Sequence, residues 1–256
     1  MLSKNKIKFI QSLSRKKERD DTRLFIAEGH KIIFEFFKAG FQLHTLISPD
    51  DQVHFKTDYS YEHIICSDDD IRKISLLKSA SKVFAIFYQP EYFLSEPDGS
   101  VLPALVLDQI QDPGNLGTII RLASWFGIKN IICSHDTVEC FNPKVVQATI
   151  GALAYVNCYY TSLIDYLSPL KNKGITIYGT FLQGENIYSD KLDTHSIVIF
   201  GNEGNGIRKE IEDLVTHKIV IPSISNEQSN VDSLNVSIAA AIFCSELRRD
   251  LLLHRT

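Results

Sequence analysis

Apolar positions gather in short unbroken blocks, LFIA (24–27), LHTLIS (43–48), HIICS (63–67) and KVFAIFYQ (82–89). Blocks of this length between polar and turn-forming residues predict strands. The segments between them, HKIIFEFFKAG ending at Gly40 and IRKISLLKS opened by Asp68, Asp69 and Asp70, carry helical spacing with the helix dipole complemented by the acidic start. A basic amphipathic helix precedes them.

From residue 104 the alternation becomes regular. Strands are predicted at ALVLDQI (104–110), NIICS (130–134), VNCYY (156–160), ITIYGTF (175–181), SIVIFG (196–201) and HKIVIP (217–222). Helices fill the gaps: one stopped by Gly127, one opened by Asn142 as cap and Pro143 at its first position, one around LIDYLSPLKN, a short one after Gly206, and a long one from Ser233. Continuous apolar strands separated by helices predict an α/β fold with a mostly parallel sheet covered on both faces. PEYFLSEPDGSVLP breaks both periodicities, so we expect two domains, 1–98 and 99–256.

Composition changes this picture in two places. The net charge of −4 conceals residues 1–31, where nine basic side chains stand against four acidic ones. Lys8, Arg15, Lys16, Lys17, Arg19 and Arg23 are the candidates for contact with a nucleic-acid phosphate backbone, the alternative being a solvated helix. The five cysteines form no CxxC pair and the eight histidines no HxxxH pair, so reduced thiols and no metal are expected. No run is apolar enough to span a bilayer and the start lacks a leader pattern, so no membrane association and a cytoplasmic location are expected.

Three stretches fall just past predicted strand ends, where parallel sheets bind ligands: DPGNLGTIIR (112–121), GNEGNGI (201–207) and VDSLNVS (231–237). In the first, Asn115 lies near a helix start and Arg121 about 9 Å further along the axis. The second holds Glu203 among three glycines. It is no Walker loop, because Ile207 and Arg208 follow Gly206 where Lys and Ser or Thr are needed, and no GxGxxG, because Lys209 takes the third glycine position. The third begins a helix with Asp232 or Ser233 as cap, and its Asn235 and Ser237 are polar groups on the first turn of a buried helix, each needing a partner.

DPGNLGTIIRLASWFGI, IVIFGNEGNGI and IP followed by SLNVSIAAAI, in this order, closely resemble the three motifs of the SpoU (TrmH-like) RNA ribose 2′-O-methyltransferases of the SPOUT superfamily, over residues 104 to about 248. The first half looks like that family's RNA substrate-binding domain. The resemblance implies a C-terminal domain with a deep trefoil knot that binds S-adenosylmethionine, a homodimer, and methylation of a ribose 2′-hydroxyl in structured RNA, rRNA rather than tRNA. It also implies catalytic or substrate-binding positions at Asn115, Arg121, Glu203, Ser233 and Asn235, and cofactor contacts from the main chain of Gly201, Ile221 and Leu234. One departure follows Pro222: SISNEQSNVD is about four residues longer than the family's loop and lacks glycine. That loop is the reason to keep a non-catalytic RNA-binding or ribosome-assembly factor as the alternative.

Overall fold

The structure, a computed structural model, describes residues 2–77, 80–94, 100–224 and 233–253. From the amino end the elements are α1 (Lys4–Ser12), α2 (Lys16–Thr22), β1 (Leu24–Glu28), α3 (His30–Lys38), β2 (Leu43–Ser48), β3 (Glu62–Ile65), α4 (Asp68–Ile74) and β4 (Phe84–Tyr88). Then come β5 (Ala104–Leu107), α5 (Pro113–Trp125), β6 (Asn130–Cys133), α6 (Pro143–Thr149), a 3₁₀ turn (Ala152–Tyr155), β7 (Asn157–Tyr160) and α7 (Leu163–Asn172). The chain finishes with β8 (Ile177–Asn186), β9 (Ile197–Phe200), α8 (Lys209–Glu212), β10 (His217–Val220), α9 (Val236–Leu247) and α10 (Arg249–Leu253). Among the described residues no helix is long and apolar enough to cross a membrane.

By their contacts the residues form two compact units, Met1–Glu91 with Glu139–Tyr155, and Tyr92–Val138 with Val156–Thr256. The expected boundary at residue 98 lies outside the described residues.

The first unit is built on a mixed four-stranded sheet in the order β1-β4-β2-β3, with β4 antiparallel to both its neighbours and β2 parallel to β3. Phe25, Phe36 and Phe87 are fully buried around it, each contributing roughly 1.5–3 kcal/mol through burial. The Phe25 ring meets Phe141, from the segment before α6, at 4.7 Å between centroids, which is why that later piece of chain belongs to this unit. Arg19 does the same work with charge. It is 1% exposed, and its guanidinium donates to both carboxylate oxygens of Glu139 and to the carbonyls of Leu13 and Ser14 at 2.9 Å. This corrects its assignment as a phosphate contact: every face of the group is taken by protein. Lys8, Lys16, Lys17 and Arg23 are exposed, as is Arg15, which pairs with Glu18 at 3.0 Å.

The second unit carries a six-stranded, wholly parallel sheet in the order β10-β8-β9-β5-β6-β7. Alternate residues of its strands serve opposite faces. Ala104, Val106 and Ile199 share a core with Leu163, Leu167 and Leu170 of α7, while the ring of Phe200 meets Phe243 of α9 at 5.6 Å on the other side. Burial on both faces accounts for the unbroken apolar blocks in the sequence. β8 runs five exposed residues beyond the predicted strand, because β10 resumes pairing with Glu185 and Asn186 after a bulge between Lys218 and Ile219.

Candidate active site

The central strands β5 and β9 lie side by side in register, Leu107 opposite Phe200, so the loops leaving their carboxyl ends emerge together. The first loop leads into α5. Asp112 caps that helix, accepting from the Asn115 backbone N–H at 2.8 Å, and Pro113 occupies the first turn, where its missing N–H costs nothing. Asn115 therefore sits inside the first turn with its side chain free to point away.

The second loop is a tight turn closed by reciprocal backbone bonds between Asn202 and Gly206, at 2.9 and 2.8 Å. A Cβ on Gly201 would lie 2.2 Å from the carbonyl carbon of Gly206, so only glycine fits there. The Asn202 side chain accepts from the N–H groups of Gly204 and Asn205 and donates to the Gln109 carbonyl at 2.9 Å, tying the turn to the end of β5. Behind it Asp108, fully buried, accepts from the Arg208 backbone N–H at 2.9 Å and from its Nε at 2.8 Å. The bond to this carboxylate raises the Arg208 pKa above its ordinary value. A buried carboxylate with such partners is stable only as a pair, and it locks the chain leaving the turn.

Three side chains meet at these loops. Asn115 Nδ2 donates to Glu203 Oε1, and Asn235 Nδ2 donates to the same oxygen at 2.9 Å and to Asn115 Oδ1 at 3.0 Å. Asn235, rather than Asp232 or Ser233, is the cap of α9: its Oδ1 accepts from the Ser237 N–H at 2.9 Å and from the Ser237 hydroxyl at 2.6 Å. Because a backbone N–H can only donate, the amide orientation of Asn235 is determined, and its NH₂ must face Glu203. The orientation of Asn115 follows in the same way from the carboxylate it faces.

The other expected positions do not join this cluster. Arg121 is exposed on α5 and its side chain makes no hydrogen bond or ion pair with any described residue. Ser233 and Leu234 are exposed just before α9, and Gly201 and Ile221 are half-buried at the ends of β9 and β10. Asp232 and most of the long loop, residues 225–232, lie outside the described residues. Asp108 and Asn202, which hold the turn in place, are not among the expected site residues. A carboxylate ending an all-apolar strand was the available sign for Asp108.

The residues suit S-adenosylmethionine in chemistry. Half-buried Ile221 and Leu234, 47% exposed, leave apolar surface for an adenine ring, and Gly201 contributes backbone with no side chain in the way.

Residues 103–245 match the model of the SpoU rRNA Methylase family, and residues 4–85 that of the MRM3-like substrate binding domain. The 23S rRNA (guanosine(2553)-2′-O)-methyltransferase RlmP of Bacillus subtilis is 28% identical over 95% of this chain and 96% of its own length. Among solved structures, a protein of the TrmH family from Porphyromonas gingivalis is 36% identical, with a TM-score of 0.85 over 98% of this chain and 99% of that one. The AdoMet-bound rRNA methyltransferase from Sinorhizobium meliloti is 27% identical, with a TM-score of 0.84 over 98% and 97%. With more than half its length inside the family model and the motif side chains gathered at the ends of β5 and β9, this chain belongs to the SpoU rRNA methylase family.

Proposed function

We infer that the chain is an S-adenosylmethionine-dependent methyltransferase that modifies a ribose 2′-hydroxyl in structured RNA, with ribosomal RNA as its substrate. The observation that carries this reading is the Asn115–Glu203–Asn235 cluster, three residues from three motifs held on one carboxylate oxygen. The names of the full-length relatives favour ribosomal RNA over transfer RNA.

When bound, the cofactor supplies a sulfonium methyl open to in-line displacement, so the protein's part is alignment and the handling of one proton. Main-chain groups of Gly201, Ile221 and Leu234 hold the cofactor, with Ser233 beside them. The amide–carboxylate cluster fixes the ends of α5 and α9 around the reacting atoms. Arg121 has its guanidinium uncommitted among the described residues. Its planar fork grips the phosphate next to the target ribose and stabilises the oxyanion that develops there, and the proton leaves to phosphate or water. The basic side chains Lys8, Arg15, Lys16, Lys17 and Arg23 of the first unit engage the RNA backbone.

The chain works as a homodimer in the cytoplasm, and its C-terminal segment is threaded in the family's trefoil knot. Support for the dimer comes from α5 and α9, which expose Trp125 and Ile238. The five cysteines are buried and none forms a disulfide, in keeping with a reducing compartment.

The test is methyl transfer from labelled S-adenosylmethionine into ribosomal RNA, with the label mapped to ribose. Arg121→Lys should lose at least tenfold in turnover while cofactor affinity by calorimetry stays within about twofold, since a point charge cannot make the bidentate contact. A lysine variant with normal turnover would reject the clamp. Absence of cofactor binding at millimolar concentration would favour the non-catalytic RNA-binding factor.

A further inference from the structure

The first unit holds a cavity of about 360 Å³ whose lining includes none of the motif residues. One wall is α3. Its Ile32, Ile33 and Phe36 are buried in the core, and the opposite face presents His30 and Phe34, one turn apart with ring planes only 7° from parallel. Phe34 is 46% exposed, which leaves part of its ring open at the cavity. Phe37 closes the floor against Phe55, their centroids 4.4 Å apart.

The other wall is the loop after β2. It is held by the Tyr61 hydroxyl, which accepts from the Phe55 N–H at 3.0 Å and donates to the Phe55 carbonyl at 3.1 Å. The wall thus exists before anything binds. Gln52, His54 and Lys56 stand at the rim, and none of their side chains bonds to a described residue. Among the described residues no carboxylate lines the space.

We propose that this cavity captures one unstacked nucleobase of the RNA substrate, stacked on Phe34, with Gln52 reading its edge and Lys56 meeting the adjoining phosphate. The inference rests on the reading above that the chain acts on RNA. An exposed aromatic platform, a neutral donor–acceptor amide and a cation, without any acidic lining, match a base attached to its phosphate. All of these residues lie within the stretch that matches a substrate-binding domain. Stacking is tolerant of base identity, so Gln52 supplies the discrimination.

The experiment measures binding of the full chain to a single-stranded RNA carrying one 2-aminopurine, and to a fully paired duplex, over a range of salt. Phe34→Ala should weaken single-strand binding about tenfold, the loss of one stack, and abolish the quenching of 2-aminopurine, with duplex affinity moving less than twofold. Its salt slope should not change. Lys56→Ala should instead reduce the slope by about 0.7, the change expected when a single phosphate goes unneutralised, and Phe34→Trp should restore affinity. Phe34 is half-exposed, so its truncation leaves the core intact, and an unchanged melting curve checks this. If the wild type binds RNA and methylates it while Phe34→Ala binds single strands normally, the base pocket is overturned and the enzymatic reading stands. If the wild type binds no RNA of either kind, both are overturned.

Discussion

A single missing side chain positions the turn that carries Glu203. At Gly201 a methyl group would sit 2.2 Å from the Gly206 carbonyl carbon and 2.3 Å from the Ile207 nitrogen, both backbone atoms that cannot swing aside. Accommodating it means prising open the Asn202–Gly206 closure that presents Glu203. Gly201→Ala is therefore expected to lower stability by roughly 1–3 kcal/mol, the usual cost of overpacking, and to cut methyl transfer at least tenfold. A urea titration and a labelled-methyl assay read the two effects. Full activity at wild-type stability would mean that the turn tolerates a different closure. The same scale explains why Arg19 reads as a phosphate ligand in the sequence and is none in the fold. Its charge lies in a basic stretch, and only the folded chain brings Glu139 to it from far along the polypeptide.

At the scale of elements, Asn235 does two things that can be separated. Its Oδ1 caps α9 and its NH₂ bonds Glu203 and Asn115. Asn235→Asp keeps a good cap but sets a second carboxylate against Glu203, so methyl transfer should collapse while the melting temperature barely moves. Asn235→Ala removes both, and adds a stability loss of about 1 kcal/mol. If the aspartate variant transferred methyl groups normally, the cluster would be structural only. Elements of this kind are largely legible from sequence, because strands buried on both faces read as apolar blocks and α6 announces itself through Asn142 and Pro143. What stays hidden depends on distant partners. The tail of β8 is polar and becomes a strand only because β10 pairs with it, and α6 joins the first unit through Phe141 and Glu139, contacts that no local pattern encodes. In the site, Asn115, Glu203 and Asn235 are each readable from their motifs, whereas Asp108 shows only as a carboxylate ending an apolar strand, and its pairing with the distant Arg208 is visible only in the fold.

For the whole molecule, the exposed apolar surface of the second unit sets a requirement. Trp125 is 81% exposed at the end of α5, one turn beyond Arg121 on the same face, and α9 exposes Ile238 at 52%. Large side chains so placed on two packed helices are expected to be covered by a partner, and a second copy using the same patch makes a closed, two-fold contact. A stable contact of that kind buries about 1,200–2,000 Å² and draws most of its strength from a few aromatic anchors. Because Trp125 and Arg121 share a face, a partner seated on the first stands beside the second and can help to enclose the phosphate proposed for Arg121. The wild type should therefore sediment at twice the 29.0 kDa of the chain, whereas Trp125→Glu with Ile238→Glu should sediment as a monomer and lose most of its methyl transfer. Cofactor affinity is the more informative readout. If the partner only completes the RNA site, the monomer keeps cofactor affinity within a few-fold and loses RNA-dependent turnover; a loss of both would place the partner against the cofactor as well. A wild type that remains monomeric at micromolar concentration with full turnover would show that the α5–α9 face serves something other than a second copy.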